Sequence, residues 1–209
     1  MNKNVNHQIL SGGQAVVETL KIEGVKYVFG LIGSATMELF DALYDAKDIK
    51  FIDVRDERTG AHMADGYARA SGQPGIVIAG QNGPGATNLV TGIAQANAAF
   101  SPVISLAGDI ASEHRGKDAF QEIDQQALFE PITKKTFSVK QTEKIPKILN
   151  EAFNLALAPR CGPVHVNLPR DILTNNANFA EFNKHHNNIL PKASKDNLTK
   201  TIDIILSSS

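Results

Sequence analysis

Cysteine, tryptophan and net charge are all scarce in this sequence. Its 209 residues include one cysteine, Cys161, and no tryptophan. A single cysteine cannot form an internal disulfide, and the N-terminus lacks the basic and then apolar pattern of a secretory signal. We therefore expect a cytoplasmic protein.

The sequence also lacks a charge excess and long apolar runs. Lysine and arginine (21) nearly balance aspartate and glutamate (22), so no broad field exists to attract nucleic acid or an acidic membrane. No run approaches the roughly 18 apolar residues that a transmembrane helix needs. The six histidines are scattered without zinc-type spacing, and we expect no metal site within this chain.

Short β-rich runs alternate with longer helical patterns along most of the chain. Six strands are predicted, at residues 25–31, 51–54, 75–80, 102–108, 136–139 and 163–168. Helices are predicted at residues 13–23, 37–45, 59–70, 86–99 and 145–157. This alternation predicts a doubly wound α/β fold, with a mostly parallel six-stranded sheet and helices on both faces.

The chain length allows one good hydrophobic core and the start of a second domain. We assign residues 1–172 to one domain. The Asn-rich, polar residues 174–188 are typical of a linker, and the pattern from residue 195 to residue 206 resembles the first helix of another domain. Residues 173–209 are therefore predicted to be a linker and the beginning of a truncated central domain, which makes the chain a fragment or a truncated product.

Two strand-to-helix turns are candidates for chemistry, because ligands of open parallel sheets collect at the carboxyl ends of the strands. The first contains Asp56 and Glu57, although acids at a helix start also serve as caps. The second, residues 80–88, has three glycines and a proline, which permit close approach of a flat ligand to the main chain. It is neither a Walker loop nor a dinucleotide fingerprint.

Four segments resemble acetolactate synthase and its relatives, in the family's order, within residues 8–172. They are residues 57–72, residues 82–94 (beginning Asn-Gly-Pro-Gly-Ala-Thr-Asn), residues 118–122 (Asp-Ala-Phe-Gln-Glu) and residues 162–171. The resemblance implies the pyrimidine-binding domain of a thiamine-diphosphate enzyme. Such an enzyme decarboxylates a 2-oxo acid such as pyruvate and transfers the two-carbon unit to an acceptor.

The resemblance also implies individual roles. Glu57 would be the catalytic residue, hydrogen-bonded to N1′ of the cofactor's pyrimidine ring, while Asp56 is expected to cap a helix. The other implied cofactor-binding residues are Gly83, Pro84, Gly85 and Asn88 around the ring, Gly33 and Ser34 facing the cofactor of a neighbouring subunit, and Arg160 at a position that contacts FAD. The implied substrate-lining residues are Phe120, Gln121 and Lys134.

Two departures from the family pattern leave the substrate and FAD open. Asp56 stands where the family usually has histidine, and Ile32-Gly33-Ser34 stands where it usually has Pro-Gly-Gly. A sulfoacetaldehyde acetyltransferase or another thiamine-diphosphate lyase is therefore an alternative. A second alternative is a non-catalytic binding or assembly module that retains the fold.

The magnesium half of the site is not expected in this chain. Relatives hold magnesium with a Gly-Asp-Gly segment and a downstream asparagine, a pattern that is missing here. The resemblance places the cofactor across the interface of a homodimer or homotetramer, with Mg²⁺ on a domain absent from this sequence. We therefore expect the isolated chain to be inactive.

Overall fold

The computed structural model describes residues 8–180, 182–184 and 192–208. In chain order, its strands are β1 (Gln8–Ser11), β2 (Tyr27–Gly30), β3 (Lys50–Asp53), β4 (Gly75–Ala79), β5 (Val103–Asp109), β6 (Lys135–Ser138), β7 (Val164–Pro169) and β8 (Asn176–Phe179). Six of them form the main sheet, in the order β3-β2-β4-β5-β7-β6, and every neighbouring pair is parallel, while β1 and β8 form a separate small sheet. The predicted six-stranded parallel α/β fold is therefore confirmed.

Helices cover both faces of this sheet. In chain order, the α-helices of the described residues are α1 (Gly12–Glu23), α2 (Met37–Asp45), α3 (Glu57–Ser71), α4 (Gly83–Ala98), α5 (Gln125–Phe129), α6 (Ile145–Leu157), α7 (Arg170–Thr174) and α8 (Lys195–Ser207), of which α8 does not join the cores on the sheet. One core joins α1, α2 and α6 to one face of the central strands, and a second core joins α3, α4 and α5 to the other. Strands β4, β5 and β7 are buried along their whole length, as their nearly continuous apolar sequence predicts.

Helices α3 and α4 pack closely because both present small residues. Ala61, Ala64 and Ala68 lie on the buried face of α3. A side chain on Gly92 of α4 would overlap Ala61, so a glycine is required where the two helices cross. This contact fixes the start of α3 relative to the start of α4.

A small two-stranded sheet was not predicted from the sequence. Strand β8 lies inside the segment predicted as a linker and pairs antiparallel with β1, with Gln8 opposite Phe179. The aromatic side chain of Phe179 is buried in the same core as α1 and α6 and contacts the ring of Phe182. Packing of the Phe179 ring in the core holds the Asn-rich strand β8 against the domain.

The C-terminal part is described only in segments. Helix α8 matches the helix predicted from residue 195 to residue 206, and all its described side chains are exposed. Residues 181, 185–191 and 209 lie outside the described part of the chain, and so does part of the predicted linker. Within the described ranges, no helix combines the length and apolarity that a membrane span requires.

Candidate active site at the carboxyl edge of the sheet

Four strand-to-helix turns meet at the carboxyl edge of the sheet, since all six strands run the same way. The turn after β2 is tied to the turn after β4 by the Ala35 amide, which donates to the Gly80 carbonyl at 3.2 Å. The turn after β4 is tied to the loop after β5 by the Gly83 amide, which donates to the Gln121 carbonyl at 3.0 Å. Most of the predicted site residues therefore share one edge.

Glu57 lies at the centre of this edge with only 2% of its surface exposed. Its Oε1 accepts a hydrogen bond from the Gly80 amide at 3.3 Å, and its Oε2 accepts one from Asn88 Nδ2 at 3.0 Å. One carboxyl group thus bridges the turn after β4 and the second turn of α4. Because Asn88 is exposed, the carboxyl lies one side chain below the protein surface.

Asp56 has the role predicted for it. Its backbone is extended, and its Oδ1 accepts from the Arg58 amide at 2.8 Å, so it is the N-cap of α3. The prediction is confirmed. The cap starts the helix at Glu57, two residues earlier than the periodicity of the sequence indicated, and so fixes the direction in which Glu57 leaves the backbone.

The glycines of the turn after β4 make room for protein groups. A Cβ atom on Gly85 would lie 3.0 Å from Glu57 Oε1, and one on Gly83 would lie 2.6 Å from the Gln121 carbonyl oxygen. Pro84, exposed between them, is in the first turn of α4, where its missing N–H costs nothing. Helix α4 begins three residues earlier than the predicted start at residue 86, and Asn88 lies in its second turn.

The turn that contains Gly33 and Ser34 lies beside this centre. Ser34 starts a short 3-10 helix, and its hydroxyl donates to Gln81 Oε1 at 3.2 Å. The Ala35 amide is bound to the Gly80 carbonyl, so the turn is fixed to the turn after β4. Gly33 packs directly on the Gly80 backbone, which leaves no space for a side chain.

A cavity of about 300 Å³ opens next to these turns. Phe120 lines it and is 85% exposed. Gln121 adopts a left-handed backbone conformation, φ 65°, and only its carbonyl is tied to the Gly83 turn. Other polar residues that line the cavity are Ser34, Asn82, Asp109, His114 and Arg170.

A row of buried polar groups leads to this cavity and was not predicted. The pairs are Ser105 Oγ with His165 Nδ1 (2.9 Å), His165 Nε2 with Asn167 Oδ1 (3.4 Å), and Asn167 Nδ2 with Asp109 Oδ2 (3.0 Å). Burial lowers the pKa of His165 to about 3, and its ring stacks on Phe129 with centroids 3.8 Å apart. Burial also raises the pKa of Asp109, against the opposing effect of Arg115, which forms an ion pair with it.

Alternation of polar and apolar residues in two strands could have indicated part of this row. Ser105 interrupts an apolar strand, and His165 and Asn167 alternate with valines on the next strand, which places all three on one sheet face. The pairing of β5 with β7 sets Ser105 opposite His165 and Ala107 opposite Asn167. That register cannot be obtained from one sequence.

Lys134 and Arg160 lie at the opposite, amino edge of the sheet. Lys134 immediately precedes β6, and its Nζ donates to the carbonyls of Leu155 (2.5 Å) and Ala158 (2.9 Å) at the end of α6. Burial lowers its pKa. The Arg160 guanidinium stacks on the ring of Phe100 at 3.5 Å. The structure does not bring these two residues to Glu57, and their substrate and FAD roles stay predictions.

We also searched the described residues for groups of side chains that could hold a metal ion. Across residues 8–180 and the two shorter described segments, no three His, Cys, Asp or Glu side chains converge to form a candidate metal site. The carboxylates near the cavity instead bind amides and an arginine, as for Asp109 and Glu57.

Comparison with known proteins identifies the family. Residues 10–128 match the model of the thiamine pyrophosphate enzymes, N-terminal TPP binding domain. The probable acetolactate synthase large subunit of Methanocaldococcus jannaschii is 50% identical over 163 residues, which cover 78% of this chain and 27% of that protein. The acetolactate synthase isozyme 3 large subunit of Escherichia coli is 48% identical over 166 residues, 79% of this chain and 29% of the relative.

This chain belongs to the thiamine pyrophosphate enzyme family and contains its N-terminal TPP binding domain. Its similarity to acetolactate synthase large subunits extends to Lactococcus lactis, at 43% identity over 164 residues. The chain spans less than a third of the length of these relatives. The resemblance inferred from the four sequence segments is therefore confirmed.

Proposed function

We propose that this chain supplies the pyrimidine side of a thiamine-diphosphate site in an acetolactate synthase-like carboligase. That enzyme would decarboxylate a 2-oxo acid such as pyruvate and pass the two-carbon unit to an acceptor. The observation that supports this most is the position of Glu57, a buried carboxyl group held by Gly80 and Asn88 at the edge where parallel sheets bind ligands.

The residues at this edge fit an aminopyrimidine ring. A carboxyl group has more lone pairs than the two that Gly80 and Asn88 occupy, so Glu57 keeps capacity for a ring nitrogen. Displacement of the exposed Asn88 amide would open the path to it. Pro84 offers an apolar face next to that path, and the Gly33–Ser34 turn lies across the Gly80 backbone from it.

The chemical role of Glu57 follows from this placement. When bound, thiamine diphosphate supplies a thiazolium carbon that can be deprotonated and can then attack the carbonyl of a 2-oxo acid. Glu57 would hold a proton between its carboxyl group and N1′ of the ring, which favours the imino form of the aminopyrimidine. The Gly80 hydrogen bond holds Oε1 in place, so the proton is shared along a defined line from the other carboxyl oxygen.

The rest of the cofactor site would come from other parts of the enzyme. Mg²⁺ prefers carboxylate and carbonyl oxygens, and the candidate edge presents carboxyl groups that already bind protein donors. We propose that the diphosphate and Mg²⁺ are held by a domain found in the longer relatives, across a homodimer or homotetramer interface. FAD, if used, would meet Arg160 at the amino edge, on the free side of its stack with Phe100.

A chimera tests the proposal directly. Residues 8–172 of this chain would replace the matching segment of the Escherichia coli relative, and pyruvate decarboxylation and acetolactate formation would be measured with thiamine diphosphate and Mg²⁺. We expect both activities, and separate calorimetry on the isolated chain should show weak or undetectable cofactor binding. A folded, cofactor-loaded chimera without either activity would favour a non-catalytic module instead.

A further inference from the structure

We propose that Asp109 and Arg115 are positioning residues, whose ion pair fixes the loop of residues 110–122 so that Phe120 is presented at the cavity. The substrate role of Phe120 rests on the proposed function. The fixing of the loop does not, because it follows from contacts within this chain. Neither member of the pair was among the residues that the sequence or the family resemblance singled out.

Asp109 is the last residue of β5 and its side chain is 1% exposed. Its Oδ1 accepts from the Ile110 amide at 2.8 Å, and its Oδ2 accepts from Asn167 Nδ2 at 3.0 Å and from the Arg115 guanidinium. The Arg115 side chain is 43% exposed, so the pair connects the sheet interior to the surface of the loop. Among the described contacts of the loop, the Ile110 amide and the Arg115 guanidinium bond to this carboxylate, and Arg115 is the side chain that does so.

The buried row behind Asp109 is oriented towards its negative charge. Because a carboxylate only accepts, Asn167 must direct its amide nitrogen at Asp109 and its oxygen at His165. His165 is neutral at ordinary pH, so it carries its proton on Nε2 and accepts at Nδ1 from the Ser105 hydroxyl. Every dipole in the row thus points a donor towards Asp109, which keeps the carboxylate available to Arg115.

Other contacts hold the loop on either side of Arg115. Its start is held by Asp171 Oδ1, which accepts from the Ser112 amide (3.0 Å) and hydroxyl (3.1 Å). Its second half is closed on itself by Glu122, which accepts from the Gly116 (2.6 Å) and Ala119 amides (3.1 Å), and its end is held by the Gly83 amide of α4, which donates to the Gln121 carbonyl at 3.0 Å. Arg115 lies between these two anchors. Three residues that follow Arg115 in the loop, Gly116, Asp118 and Gln121, have a left-handed backbone conformation, and Phe120 lies among them.

The ion pair has a positioning role that can be separated from fold stability. Burial raises the pKa of Asp109, so the cost of burying the carboxylate offsets part of the stability that the ion pair contributes. In Asp109→Asn, the row can reverse: the new amide donates to Asn167, which donates to His165, and a proton shift to Nδ1 lets the ring donate to Ser105. The row stays satisfied, and only Arg115 loses its partner.

Amide hydrogen exchange of the 209-residue chain tests this at neutral pH. The variants are Asp109→Asn, Arg115→Gln, the double variant and Arg115→Lys, which keeps the charge. Arg58→Gln is the matched control, because Arg58 is also an exposed arginine paired with an aspartate but lies outside the loop. We expect exchange in peptides covering residues 110–122 to accelerate about tenfold or more in both single variants, which corresponds to about 1.4 kcal/mol.

The pattern across variants decides the matter. Loop exchange in the double variant should be no faster than in either single variant. Arg115→Lys should keep most of the wild-type protection of the loop. In all variants, exchange in β4 and β5 and the Tm should stay near wild type. Unchanged loop exchange in Arg115→Gln, or acceleration spread equally over the sheet, would overturn the proposal. The measurement needs no cofactor, so an inactive chimera with a loosened loop would reject the proposed function and leave the positioning role standing.

Discussion

Gly85→Ala is the change that probes the geometry around Glu57 most sharply. A methyl group at this position would lie 3.0 Å from Glu57 Oε1 and 3.4 Å from the Cβ atoms of Ala79 and Gln81. The first distance is too short, so the carboxyl group must move. The Gly80 amide, which donates to the same oxygen at 3.3 Å, then loses its partner.

The magnitude follows from two opposing terms. Alanine replaces glycine inside a helix, which stabilises by roughly 0.5–1 kcal/mol. Loss of a hydrogen bond to a charged group costs about 1.5–3 kcal/mol. The difference predicts a net destabilisation of about 0.5–2.5 kcal/mol, or a fall in Tm of about 1–10 °C for a chain of this size.

Gly66→Ala is the matched control. Gly66 is also inside a helix, and a Cβ atom there would meet nothing within 4 Å. Only the helix-propensity term applies, so Tm should rise by about 1–4 °C. Differential scanning calorimetry of both variants compares the signs. Equal increases in Tm would show that Glu57 does not lie against Gly85 and would refute the geometry of the site.

Two further predictions concern the core. His165 has a pKa of about 3 in the fold, below its ordinary 6.5, so the unfolded chain binds more protons between these values. The free energy of unfolding should therefore decrease as the pH is lowered from about 6.5 towards 3, by up to about 1.4 kcal/mol per pH unit. Urea titrations at several pH values should show this slope reduced in His165→Gln, and an unchanged slope would contradict the burial of a neutral ring. Gly92→Ala, against Ala61 and the backbone at His62, should destabilise by about 1–3 kcal/mol despite better helix propensity. Its urea midpoint should drop below that of Gly66→Ala, and a higher midpoint would show that α3 and α4 are farther apart than described.

The six strands and five long helices were predictable because their signals are local. The limits predicted for the helices at residues 37–45 and 145–157 agree with α2 and α6. Continuous apolar runs predicted the central strands, as they are buried from both sides. The β1–β8 sheet was missed since it pairs two segments that are far apart in the sequence, and an Asn-rich strand has no local signature.

The site was predictable only in part. Sequence motifs pointed to Glu57 and to the Gly83–Gly85 turn, and the parallel strands bring them to one edge. They did not show that the glycines make room for Glu57 and Gln121, which is a long-range packing contact. Asp109 and Arg115 were missed because their meaning depends on the pairing of β5 with β7 and on the path of a loop.

The most direct test of the central claim compares Glu57→Gln with Asp56→Asn in an active chimera. Both remove one carboxylate from adjacent positions, and asparagine preserves the helix cap. Glu57→Gln should lower kcat by about 10²- to 10⁴-fold, the usual contribution of a positioned acid–base group, with Tm near that of the parent. Asp56→Asn should stay within a few-fold of the parent. Full activity in a folded, cofactor-loaded Glu57→Gln chimera would contradict the assignment.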